Sequence, residues 1–119
     1  IRGNHDLKSG DPPEMFGLQV VDEPYEEEGI YFTHQPLHSE THFTFCGHIH
    51  PGVVLSGKGR QYLKVPCFFT EKNCMILPAF GALTGTVALK PGRKSKVYVV
   101  TGTSVVEMKP EGERDEIRK

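Results

Sequence analysis

A chain of 119 residues that is 37% hydrophobic and 24% charged has the composition of one small soluble domain, with apolar residues for a single core. A formal net charge of -1 excludes a global electrostatic pull toward nucleic acid or an acidic membrane, so any polyanion affinity must be local. No apolar run approaches the roughly 20 residues of a bilayer span, and Cys46, Cys67 and Cys74 form neither a disulfide framework nor a zinc ribbon. No membrane partner and a reducing, cytoplasmic setting with small buried thiols are therefore expected.

The chain starts at Ile1-Arg2-Gly3 with no initiator Met and no lead-in to its first motif, which points to the C-terminal part of a longer protein. Asp11-Pro12-Pro13-Glu14-Met15-Phe16 carries a helix-start pattern that Gly17 ends within about a turn. The rest reads as short strands rich in β-branched and aromatic residues. They are predicted at Leu18 to Val21, Ile30 to Thr33, His42 to Cys46, Val53 to Leu55, Gln61 to Phe69, Cys74 to Leu77, Lys96 to Val100 and Ser104 to Met108. Turn chemistry separates them, including Glu26-Glu27-Glu28-Gly29 and Lys72-Asn73, with the glutamates read as a solvated turn. Pro66 demotes its strand locally to an edge or a bulge, because proline cannot donate to the ladder. Residues 110–119 have little apolar to bury and are expected to be a flexible polar tail.

Histidines carry the chemistry. In Gly47-His48-Ile49-His50, flanked by Pro51-Gly52, two imidazoles project from a strand end or loop and suit zinc, manganese or iron. His34 follows the apolar run Ile30 to Thr33 at the place where the strand must stop, and strand C-termini are where α/β folds put ligand-binding groups. In Gly3-Asn4-His5-Asp6 the amide of Asn4 offers a neutral hard oxygen. His5 can protonate a leaving oxygen, and Asp6 can orient it. His38 and His42 are left out of the ligand set. Lys58 and Arg60 at one turn and Lys90, Arg93, Lys94 and Lys96 at another offer a local phosphate-binding rim, although such lysines more often serve solubility. Tyr62, Phe68, Phe69 and Phe80 are read as core residues before they are read as base-stacking platforms.

The order G-N-H-D, then H, then G-H-x-H resembles the second half of the calcineurin-like metallophosphoesterase superfamily. Cys46 to Gly52, Leu63 to Phe68, Ile76 to Gly81 and Thr84-Gly85 bring it closest to the ligase-associated DNA-damage-response endonuclease branch. The resemblance implies an α/β fold, a sandwich of two mixed β-sheets flanked by helices, with residues 1–109 as the strand-rich C-terminal part of that domain. It implies two divalent metal ions, with Asn4, His34 and His48 on one, His50 on the other, and His5 and Asp6 in the catalytic step. Manganese is the expected metal, with zinc and iron as alternatives.

The implied activity is hydrolysis of phosphodiester bonds by a DNA endonuclease in repair, with a ligase and helicase system as the associated partner. The alternatives are a small-nucleotide phosphodiesterase or phosphatase, or a non-catalytic scaffold. Two earlier motifs of the family, D-x-H and G-D-x-x-D, are absent from this sequence, and Asp11 and Asp22 lack the neighbours to replace them. The chain alone is therefore expected to be inactive without the N-terminal half of the domain.

Overall fold

The computed structural model describes residues 1–81 and 84–108. The expected tail lies outside them. A four-residue helical turn α1 (Asp6–Ser9) and a 3-10 turn (Glu14–Phe16) come first. Nine strands follow: β1 (Tyr25–Glu27), β2 (Ile30–Phe32), β3 (Phe43–Cys46), β4 (Pro51–Ser56), β5 (Tyr62–Glu71), β6 (Cys74–Ile76), β7 (Val87–Ala88), β8 (Lys96–Val100) and β9 (Val105–Met108).

Most predicted strands are present, with three differences. Leu18 to Val21 joins no ladder; only the Val21 carbonyl is paired, accepting from the Arg2 amide at 2.8 Å. Glu26 and Glu27 belong to β1 rather than to a turn, because Glu28 and Gly29, at φ 52° and 81°, suffice to reverse the chain into β2. The two-residue β7 was not anticipated, being too short for an alternating pattern to register. The flanking helices of the expected sandwich are also missing among the described residues, where four residues are the longest helix.

The two expected sheets are joined through β5. Its first half, Tyr62 to Pro66, pairs antiparallel with β4, and its second half pairs with β6 on one side and β8 on the other. Pro66 sits at this change of partners: Gly52↔Pro66 is the last pair with β4, and Cys67↔Val99 begins the ladder with β8. A residue with no N–H is tolerated where one ladder ends and another begins. Lys72 and Asn73, both at positive φ, form the two-residue turn that returns the chain as β6.

A strip of three parallel strands, β2, β3 and β6, results from this path. Their C-terminal ends share one edge of the sheet. Two backbone hydrogen bonds, Thr33 N–H to the Phe45 carbonyl (2.9 Å) and Gly47 N–H to the His34 carbonyl (3.0 Å), carry the β2–β3 ladder into the loops. Leu77 N–H to the Cys46 carbonyl (2.8 Å) does the same for β6.

The core lies elsewhere, where Val53, Cys67, Phe69, Val97 and Val99 pack together, with Leu55, Val65, Ile76, Leu89 and Met108 around them. Alternation along β5 and β8 puts Cys67 opposite Val99 and Phe69 opposite Val97 on one face. Each fully buried valine or phenylalanine contributes about 1.5–3 kcal/mol.

Candidate functional site

At the C-terminal edge of the parallel strip, His34 is held from three directions. Its carbonyl is taken by Gly47, as above. Its amide and that of Gln35 both donate to one carboxylate oxygen of Glu23, at 2.5 and 3.1 Å. Its ring lies over Gly3, where an added Cβ would sit 2.6 Å from the ring carbon Cε1 and from Nδ1. Gly3 is thus required by close approach of an imidazole, and only a residue without a side chain leaves room for it.

The ring's Nε2 is the meeting point. Asn4 Oδ1 lies 2.8 Å from it and His48 Nδ1 lies 2.9 Å from it. The two imidazoles meet edge to face at 66°. With Asn4 presenting its oxygen, the one proton that His34 Nε2 can carry satisfies only one of its two neighbours. Three electron-pair donors therefore converge on a space that hydrogen bonding among themselves does not fully satisfy. Burial, reinforced by the adjacent His48, holds the His34 imidazole below its ordinary pKa of 6.5, so the neutral form with a free lone pair prevails near neutrality.

His48 reaches this point through an unusual backbone. Ile49 N–H donates to the Gly47 carbonyl at 2.8 Å around His48 at φ 69°, and His50 follows at φ 57°. Two non-glycine residues in the left-handed region within three positions cost of order 1–3 kcal/mol each, and such residues cluster at functional sites. The same turn separates the two histidines. His50 gives its carbonyl to Val87 N–H at 2.9 Å, and its ring is not among the groups gathered at His34.

The Gly3 to Asp6 motif forms a closed turn. Asp6 N–H donates to the Gly3 carbonyl at 3.1 Å, and the Asp6 carboxylate accepts from Gly3 N–H at 2.7 Å. One oxygen of the Asp6 carboxylate is thus engaged by the backbone of Gly3, and no hydrogen bond joins it to the His5 side chain among the described residues. His5 caps α1 through its carbonyl, which accepts from Lys8 and Ser9, and its side chain is exposed.

Other residues of interest are placed as follows. His42, set aside as a ligand, bonds Glu26 at 2.8 Å and Thr41 at 2.7 Å and stacks on Tyr31. Asp11 and Asp22 both pair with Arg2, at 2.7 and 2.9 Å. The arginine's hydrogen bonds hold the Asp11 carboxyl below the usual carboxylate range. Lys58, Arg60, Lys90, Arg93, Lys94 and Lys96 are all exposed. Tyr62 and Phe80, read as core, are 72% and 107% exposed, whereas Phe69 is buried. Tyr62 lies in the part of β5 that pairs only with β4, and Phe80 lies in a loop beyond β6.

Glu23 is the residue that sequence reasoning missed. It sits in an irregular stretch between two Pro-containing segments, and no periodicity marks it. Among the described residues no three His, Cys, Asp or Glu side chains gather closely enough to hold a metal by themselves. The convergent group is instead two histidines and an asparagine.

No protein-family profile matches the sequence, and no curated protein matches it. A solved structure does: the chain is similar to nuclease MPE of Pseudomonas putida, with 39% identity and a TM-score of 0.77 over 91% of this chain. The match covers 52% of that protein, so the chain spans about half the length of the nuclease it resembles, and its strand-rich mixed sheet is consistent with a fragment of that nuclease's fold.

Proposed function

We propose that this chain supplies one side of a metal-dependent phosphodiesterase site that cleaves DNA. The observation carrying the proposal is the convergence of Asn4 Oδ1, His34 Nε2 and His48 Nδ1, in a chain similar to about half of a nuclease. Their separations of 2.8 and 2.9 Å are near the roughly 3 Å between neighbouring donors that each lie about 2.1 Å from one ion. The donor set fits a divalent cation on this ground. Asn4, His34 and His48 would hold one cation and His50 would contribute to a second. The mixture of amide oxygen and imidazole nitrogen suits manganese, with zinc or iron as alternatives.

When bound, the cations lower the pKa of water and neutralise charge on the phosphate. The chain's own residues do the rest. Glu23 and Gly3 fix the His34 ring, and the tight turn at Gly47 aims His48 at it. His5, next to Asn4 and open to solvent, gives a proton to the leaving oxygen. The sequence holds neither D-x-H nor G-D-x-x-D, so the acidic ligands come from outside these 119 residues and the chain alone has little or no activity. A cytoplasmic role in DNA repair beside a ligase and helicase rests on the branch resemblance alone.

A chimera tests this directly: the part of the Pseudomonas nuclease that precedes its matched segment is fused ahead of Ile1. Manganese-dependent cleavage of plasmid DNA is expected, and His5→Ala should reduce it by about 100- to 10,000-fold. A folded chimera that hydrolyses bis-p-nitrophenyl phosphate but no DNA would replace the nuclease reading with a small-nucleotide phosphodiesterase. A folded chimera that binds no metal would overturn it.

A further inference from the structure

Beneath the loop that carries His48 lie two thiols that the proposed chemistry does not use. Cys46, the last residue of β3, and Cys74, the first of β6, bring their sulfurs to 3.7 Å, with 2% and 1% of each residue exposed. The strands are parallel neighbours with Thr44 opposite Cys74 and Cys46 opposite Ile76, so the two cysteines are diagonal partners. We infer that Cys46 and Cys74 form a dithiol site that a peroxide converts to a disulfide, displacing the Gly47 to His50 loop and weakening metal binding.

The sulfurs are too far apart to be bonded and close enough to become so. A disulfide bond is about 2.05 Å long, so closure requires an approach of roughly 1.7 Å. Diagonal neighbours on adjacent strands have backbones about 7–8 Å apart, beyond the roughly 4.4–6.8 Å that a disulfide usually spans. Side-chain rotation alone therefore does not suffice, and bond formation draws the end of β3 toward β6. Gly47 is the next residue, and its amide is the bond that fixes the loop to the His34 carbonyl. Movement there changes the position of His48 relative to His34.

The chemistry balances with hydrogen peroxide as oxidant. One cysteine sulfur attacks a peroxide oxygen, the O–O bond breaks, and a sulfenic acid and one water form. The second sulfur then attacks the sulfenic sulfur, the S–O bond breaks, and the hydroxyl leaves with the thiol proton as a second water. Two thiols lose two electrons and one peroxide gains them. Cys46 lies at the strand end beside partly buried loop residues, so a small neutral oxidant reaches it when that loop opens locally. Cys67 is 0% exposed on β5 in the main core, with no sulfur within bonding reach among the described residues, and serves as the internal control.

The full chain is treated with hydrogen peroxide, quenched with catalase, denatured, alkylated with N-ethylmaleimide and mapped by mass spectrometry without reduction. A peptide linking Cys46 to Cys74, with Cys67 alkylated and the link reversed by dithiothreitol, is expected. Manganese affinity of the chimera described above, measured by calorimetry, should fall about 10- to 100-fold on oxidation, as when groups supporting a ligand are disturbed. Cys74→Ala should keep its affinity after the same treatment. Alkylation of all three thiols, or sulfinic acid without a linked peptide, overturns the dithiol site. A linked peptide with unchanged affinity overturns the coupling to the loop. The coupling rests on the functional reading above. Absence of manganese binding in the reduced chimera would instead refute that reading, whatever the thiols do.

Discussion

Along β2, β3 and β6 the strands run parallel and end in loops where polar side chains converge, whereas along β4, β5, β8 and β9 antiparallel neighbours bury a common apolar face. The first region holds His34 and His48 with their backbone restraints, and the second holds Val53, Phe69, Val97 and Val99. Parallel strands place their C-termini on one edge, which gathers residues far apart in sequence. Antiparallel hairpins reverse direction at each turn and instead align residues across a face. Stability and binding are thus separable, and substitutions in one region should leave the other's property intact.

The largest effect is expected from Phe69→Ala. Phe69 is buried between Ile76 and Val97 on neighbouring strands, and its removal should cost about 3–5 kcal/mol in urea unfolding. That is a large share of the about 5–15 kcal/mol that holds a typical domain folded. Manganese affinity of the molecules that remain folded should not change. A drop in affinity would join the two regions that the topology separates.

The binding region is addressed by Gly3→Ala. A Cβ there would lie 2.6 Å from the His34 ring, so the ring must rotate away from Asn4 and His48. Manganese affinity is expected to fall about 10- to 100-fold, with the thermal midpoint little altered because the site is outside the apolar core. Unaltered affinity would show that the His34 orientation is not what binds metal. Glu23→Gln, which weakens the acceptor for two backbone amides, should act in the same direction.

This contrast also accounts for what the sequence disclosed. Strands such as Lys96 to Val100 were legible because alternation of buried and exposed residues is a local pattern, and β8 has the predicted bounds. His34 and His48 were legible as chemistry because imidazoles beside glycine and proline punctuation mark strand ends. Glu23 was not, since a carboxylate serving two backbone amides across the chain leaves no local trace. Nor was the exposure of Tyr62 and Phe80 legible, because an aromatic residue reads the same whether or not an opposing surface covers it. Asp6, bonded to the Gly3 amide, shows the converse limit. A motif identifies its residues, and only the fold shows which atom each one meets.

A smaller effect, confined to the core, follows from Cys67. Burial pushes its thiol up to about 11 from an ordinary 9.0, so the folded state favours the neutral form. Its contribution is fully present below pH 9 and is lost as pH rises toward 11. The loss is about 2 kcal/mol by pH 11, at about 1.4 kcal/mol per pH unit. Urea midpoints of the parent chain and Cys67→Ala across this range should converge as pH rises. Parallel curves would mean that the thiol does not titrate with folding.

The smallest effect is expected where the acidic residues nearest the first motif are concerned. Asp11 and Asp22 are the carboxylates that a cation near Asn4 might recruit, yet both are already engaged by one guanidinium, Asp11 through two oxygens. A carboxylate so paired must leave Arg2 before it can bind a metal, and Arg2 itself anchors the chain by donating its amide to Val21. The double variant Asp11→Asn, Asp22→Asn should therefore keep its manganese affinity. Its surface ion pairs contribute little to folding, and what they contribute shrinks further with added salt. A clear fall in metal affinity would place acidic ligands of the site within this chain rather than outside it.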